Sequence, residues 1–177
     1  FFLTDNYRKP DPANPARQLA VHGTDALNEV TAPSREEMRR LVERIKKAVP
    51  EVKVLIYFHS ALCSEEDAFT KYEGCRALSN GQGVSSYPGC ILLFPTLTNR
   101  YGQDLRKVVE LATGEIGADG LYWDEMCTGH VGEADVWCGR HAIVSRDDFK
   151  AGKIYSFTPQ LLTPWQEKMV KDLQQQG

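Results

Sequence analysis

This sequence predicts an α/β fold built on a parallel sheet. The expected form is a (β/α) barrel-type domain, present in part, with a small doubly wound sheet as the alternative. Three observations predict it. Helix-like and strand-like segments alternate along the chain, as in right-handed βαβ units. The strand-like runs at 52–59, 90–95 and 120–124 are almost continuously apolar, the pattern of strands covered on both faces. Each run also leads into polar residues: His59-Ser60, Thr96 after Pro95, and Asp124-Glu125. A complete barrel takes about 250 residues, so a single α/β domain of 177 residues would hold only part of one.

Residues 1–20 carry Pro10, Pro12 and Pro15. Proline fixes φ and removes a donor, so an extended lead-in is expected. Residues 21–33 read as a loop. Ser34 and Glu37 form a capping box, and Met38, Leu41, Val42, Ile45 and Val49 then recur at helical spacing until Pro50. The first strand follows at 52–59. A short helix is expected over 64–72, with Ser64 as its cap and Glu65, Glu66 and Asp67 at the positive end of its dipole. Residues 74–89 are rich in Gly and Ser and read as a loop, before the strand at 90–95. A helix over 103–116 ends at Gly117, and the third strand runs from Gly120 to Asp124. Residues 126–157 read as a long loop with Gly129, Gly132, Gly139 and Gly152. A last helix over 164–175 has Thr163 as cap and Pro164 at its first position.

The composition is that of an ordinary globular chain, 42% apolar and 25% charged, with net charge -3. No basic surplus exists to hold a polyanion, so nucleic acid is not an expected partner. No apolar run approaches the roughly 20 residues of a membrane span. Five cysteines, an odd number without a C-x-x-C pair, predict free thiols, although Cys127 and Cys138 would be close enough to pair in a secreted protein. The opening Phe1-Phe2-Leu3-Thr4 lacks Met and a cationic region, so it is not a signal peptide and suggests an excerpted start. The compartment and the oligomeric state stay open.

In parallel α/β folds all strand carboxyl ends lie on one edge, and that edge builds the site. His59, Thr96 and either Asp124 or Glu125 are therefore expected to converge. Asp124 follows Leu121-Tyr122-Trp123 and begins in a poorly hydrated place. Neighbouring acids in unlike surroundings divide the roles of proton donor and nucleophile. Adjacent strand residues point to opposite faces, so Asp124 is the first candidate catalytic group and Glu125 the second. Tyr57, Tyr122, Trp123 and Trp137 flank the proposed edge, and aromatic faces suit the apolar faces of sugar rings.

The run Gly117-Ala118-Asp119-Gly120-Leu121-Tyr122-Trp123-Asp124-Glu125 resembles a barrel strand of glycoside hydrolases. The resemblance implies a carbohydrate-active hydrolase with a catalytic carboxylate at that strand end and no cofactor. It also implies substrate contacts at Tyr57, His59, Trp137 and His141, which Thr96 and Tyr122 join from their places at the strand edge. A second carboxylate is not matched; Asp25, Glu133 and Asp135 are its candidates. Such enzymes hold two carboxyls about 5 Å apart when retaining, or about 6.5–9.5 Å when inverting.

Two rival readings stand beside it. A metal-dependent hydrolase would draw ligands from His22, His59, His130, His141 and Asp124, although their spacing matches no compact ligand motif. A non-catalytic domain would bind carbohydrate without cutting it.

Overall fold

The prolines near the N-terminus are built into strands rather than excluded from them. In this computed structural model, which describes residues 2–3, 7–85, 87–124, 131–135 and 155–176 (the backbone alone at 2–3, 131–134, 155–161 and 176), Phe2–Leu3 forms strand β1. Arg8–Asp11 (β2) and Asn14–Ala20 (β3) form an antiparallel hairpin. Pro10 pairs with Gln18 next to a register shift, and a sheet of two strands has edges on which a missing N–H costs little. The expected lead-in is thus corrected to a hairpin.

Two 3-10 turns follow, Gly23–Leu27 and Glu29–Thr31. Helix α1 spans Ala32–Ala48 with Pro33 in its first turn. It starts ahead of Ser34, whose hydroxyl accepts instead from the Arg8 N–H at 2.8 Å, so the expected capping box does not form. Strand β4 (Leu55–His59) leads into β5 (Leu62–Cys63). The helix expected over 64–72 is reduced to one turn, α2 (Ala68–Lys71). The expected 74–89 loop holds a second hairpin, β6 (Ala77–Ser79) and β7 (Gln82–Gly83). Its turn is Asn80-Gly81, both at positive φ (51° and 75°), the signature of a tight hairpin turn. Strand β8 (Ile91–Leu92) precedes α3 (Arg100–Glu110), which Asn99 caps by accepting from the Gly102 N–H at 2.8 Å. A π turn, Leu111–Glu115, and Gly117 at φ 77° close that helix. Strand β9 is Gly120–Asp124. The expected 126–157 loop contains two strands, β10 (Val131–Ala134) and β11 (Tyr155–Phe157). Helix α4 spans Thr158–Gln176, so it begins well before Pro164 and carries that proline inside.

The strands assemble into four small sheets, and no barrel closes among the described residues. β4 and β9 pair in parallel from Leu55↔Gly120 to His59↔Asp124, with the two-residue β1 on the other side of β4. Among the described residues, this β4–β9 ladder is the one parallel pairing longer than two residues. The barrel-type fold is therefore corrected, and the reason lies in β8. The turn at 87–90 delivers β8 antiparallel to β5, pairing Leu62 with Leu92, so the second expected parallel strand never enters the sheet. The remaining sheet, β11-β10-β6-β7, is antiparallel throughout.

The register of β9 on β4 is clamped below the sheet. Asp119 donates its N–H to Val54 O (2.8 Å) and accepts from Val54 N at Oδ2 (2.9 Å), with Lys46 at 3.0 Å. The Val54 N–H, with Lys46 behind it, holds the Asp119 carboxyl below its usual range.

Side chains alternate across β4 and β9, and one face takes the core. Ile56 and Phe58 are buried against Met38 and Val42 of α1, Leu105, Val108 and Val109 of α3, and Trp165 and Met169 of α4. Full burial of each large apolar side chain contributes about 1.5–3 kcal/mol. Phe58, Trp123 and Trp165 form a ring cluster with centroids 5.2–6.5 Å apart. The doubly wound alternative is corrected as well, since among the described residues the parallel sheet is only β1-β4-β9, with β1 two residues long. The opposite face carries Leu55, Tyr57, His59, Gly120, Tyr122 and Asp124.

Cys63, Cys75 and Cys90 are buried free thiols, and burial pushes Cys63 up to about 11. Cys127 and Cys138 lie outside the described residues. No helix among the described residues is long and apolar enough to cross a membrane.

Candidate functional site

Parallel pairing places the last residues of β4 and β9 side by side, so His59 and Asp124 are register partners at the carboxyl end of the ladder. Tyr57 and Tyr122 are partners one step back on the same face, their ring centroids 6.2 Å apart. The Tyr57 phenol donates to Asp124 Oδ2 at 3.0 Å. The carboxylate is therefore oriented by the sheet itself. Tyr122 is 41% exposed, so part of its ring reaches solvent on the face that carries that carboxylate.

His59 is buried, and its Nδ1 accepts from the backbone N–H groups of Ala61 and Leu62, both at 3.1 Å. Nδ1 is the acceptor here, so Nε2 is the N–H donor. On the core side, Trp123 donates from Nε1 to Ser60 Oγ at 3.2 Å, which ties the chain after β4 to the end of β9.

His22, expected only as a candidate metal ligand, joins this group. Its ring meets Tyr57 edge-on with centroids 6.2 Å apart. Burial first, then the neighbouring His59, lowers the His22 pKa below its ordinary value, against a raising pull from Asp25. The turn that carries it is tied down from beneath. The buried Asp25 carboxylate accepts from Lys9 Nζ (2.6 Å), Ser64 Oγ (2.6 Å) and Asn28 Nδ2 (2.7 Å). Ser64 Oγ in turn accepts from the His22 N–H at 2.9 Å. Ser64, expected to cap a helix, is instead the link between Asp25 and His22.

Thr96 does not reach this edge. β8 lies outside the parallel sheet, and Thr96 Oγ1 accepts from the N–H groups of Thr98 and Asn99 (3.4 and 3.0 Å). It shapes the loop before α3. Glu125, Trp137 and His141 lie outside the described residues, as does His130. Of the second-carboxylate candidates, Asp25 is committed to the network above. Asp135 is held by the Arg76 side chain and by the Arg76 and Gly74 N–H groups. The Glu133 side chain is not described. Among the described residues, no group of three His, Cys, Asp or Glu side chains is arranged to hold a metal ion.

Comparison with protein-family models, with curated proteins and with solved structures found no match. The chemistry must therefore be read from the group itself. It comprises an oriented carboxylate, a buried imidazole, a phenol and a partly exposed aromatic ring on one face of a short parallel ladder.

Proposed function

We propose that the chain is a carbohydrate-active hydrolase in which Asp124 is the strand-end carboxylate that acts on the sugar. The observation that carries this reading is the Tyr57–Asp124 hydrogen bond beside the half-exposed ring of Tyr122. A sugar presents an apolar ring face and a rim of hydroxyls. Tyr122 suits the first, while the Asp124 carboxylate, oriented by Tyr57, suits the second. Because Oδ2 already accepts a donated proton from Tyr57, the geometry favours Asp124 as the group that attacks or receives a proton, over the group that gives one.

The test is Asp124→Asn on a panel of chromogenic glycosides. Turnover should fall by roughly 10²–10⁴-fold. The thermal melt should move no more than the few degrees that about 1 kcal/mol represents. Retained turnover in the folded variant would end the assignment.

A second reading rests on the partly exposed ring of Tyr122 alone. On that reading the chain binds carbohydrate without cutting it. Its mark would be sugar binding by the intact chain, with no hydrolysis at any pH.

A further inference from the structure

A cavity of about 370 Å³ lies next to the sheet-edge group, walled in part by Lys9, Pro12, His22, Ser64, Tyr87 and Pro88. His22 belongs to both places. It lines the cavity, and its ring meets Tyr57, the residue that holds Asp124. We propose that this cavity is a second sugar subsite, which takes the neighbouring unit of a neutral oligosaccharide whose reacting unit lies against Tyr122 and Asp124. The inference rests on the carbohydrate reading above and deepens it, from a sugar in general to a chain of at least two units.

The volume lies at the lower end of ligand pockets, which run from about 300 to 1,000 Å³. The walls have the mixed character a sugar needs. Tyr87 is 51% exposed, a large ring left in water. It does not hang on a loose loop. Tyr87-Pro88-Gly89-Cys90 closes with Cys90 N–H donating to Tyr87 O at 3.0 Å, and Gly89 sits at φ 77°. Proline second and a positive-φ glycine third are the requirements of a type II turn. The Ser85 hydroxyl donates to the same Tyr87 carbonyl at 2.6 Å. The ring is thereby presented from a rigid corner, with the flat apolar surfaces of Pro12 and Pro88 close by.

Polar groups stand among these surfaces. Lys9 Nζ donates to Asp25 and to Ser64 O, and an ammonium has three donors, so one N–H remains for a hydroxyl. Because burial and His59 disfavour its charged form, His22 presents one donor and one acceptor near neutral pH. The charge of Lys9 is matched by Asp25, and Glu66 also lines the cavity. No cationic surplus exists to favour an acidic glycan, so the occupant is a neutral sugar.

The experiment is calorimetric titration of the intact chain, Tyr87→Ala and His22→Gln. The probes are glucose, xylose, mannose and galactose and their linear oligomers of two to six units. In the type whose oligomers bind, affinity should rise at least tenfold from one unit to two or more. Tyr87→Ala should lower oligomer affinity about tenfold and leave the monosaccharide unchanged. His22→Gln should act in the same direction. Tyr87 is a surface side chain, so its removal should leave the melt in place. Sugar binding that ignores length, or that both variants retain in full, overturns the second subsite while the carbohydrate reading stands. Failure of the intact chain to bind any of these sugars overturns both.

Discussion

Tyr57 donates its phenol proton to Asp124 across 3.0 Å, joining residues 67 positions apart in the chain. Neither side chain owes its place to its own strand alone. The register Tyr57↔Tyr122 sets the contact by putting Asp124 two residues further along the same face.

Tyr57→Phe removes that donor and keeps the ring. A hydrogen bond to a charged group is worth about 1.5–3 kcal/mol, so if its worth is in aligning the carboxylate, turnover should fall roughly tenfold to a hundredfold. The substrate is whichever chromogenic glycoside the intact chain hydrolyses. An unchanged kcat in a folded variant would take Tyr57 out of the machinery.

Asp25→Asn should be severely destabilising. Asp25 is fully buried and paired with Lys9, whose side chain is 12% exposed. Removing one partner of a buried pair leaves the other uncompensated, at about 3–5 kcal/mol. Urea unfolding followed by circular dichroism measures the loss. Glu36→Gln, which breaks the exposed pairs of Glu36 with Arg39 and Arg40 on α1, is the contrasting control and should barely move the midpoint. Equal midpoints for the two variants would contradict the structural role given to Asp25.

Gly23→Ala tests the turn beneath the site. Gly23 sits at φ 62°, and an added Cβ would lie 2.4 Å from Leu62 O and 2.7 Å from the Tyr101 hydroxyl oxygen. The left-handed conformation costs a non-glycine residue about 1–2 kcal/mol, and the clash adds to it. A loss above about 2 kcal/mol in the same unfolding assay is expected. A wild-type midpoint would show that the turn has another conformation.

Stability should fall on mild acidification through His22. Its folded pKa lies below the ordinary value near 6.5. Above pH 6.5 both states hold it neutral and it adds no pH dependence. As pH drops below 6.5 the unfolded chain takes up the proton first, so stability declines until the folded pKa is reached. Melts recorded between pH 7.5 and 5 should show a shallower decline for His22→Gln than for the intact chain. Parallel curves would mean the ring is not held in its neutral form.

Much of the local structure was legible. The apolar run ending at Asp124 and the helix through Met38, Val42 and Ile45 follow from side-chain pattern, and the end of the next helix follows from Gly117. Other signals were present and passed over. Asn80-Gly81 is a hairpin turn set inside a stretch that otherwise reads as loop, and Tyr87-Pro88-Gly89-Cys90 is a turn that reverses the chain before β8. That second turn undid the barrel reading. A run of apolar residues announces a strand but not the direction in which it pairs, and β8 joins β5 antiparallel.

By itself, the sequence determined much of where the chain extends and coils, and that Tyr57, His59, Tyr122 and Asp124 fall in the last three residues of two strands. Period-two alternation and helical spacing are properties of neighbouring residues. The tertiary structure alone decided that those four residues share a face, that Thr96 stays away from it, and that His22 and the Tyr87 corner border it. Those outcomes depend on strand register, on the Asp119 clamp and on the buried Asp25–Ser64 link, which are contacts between distant segments that no local pattern encodes.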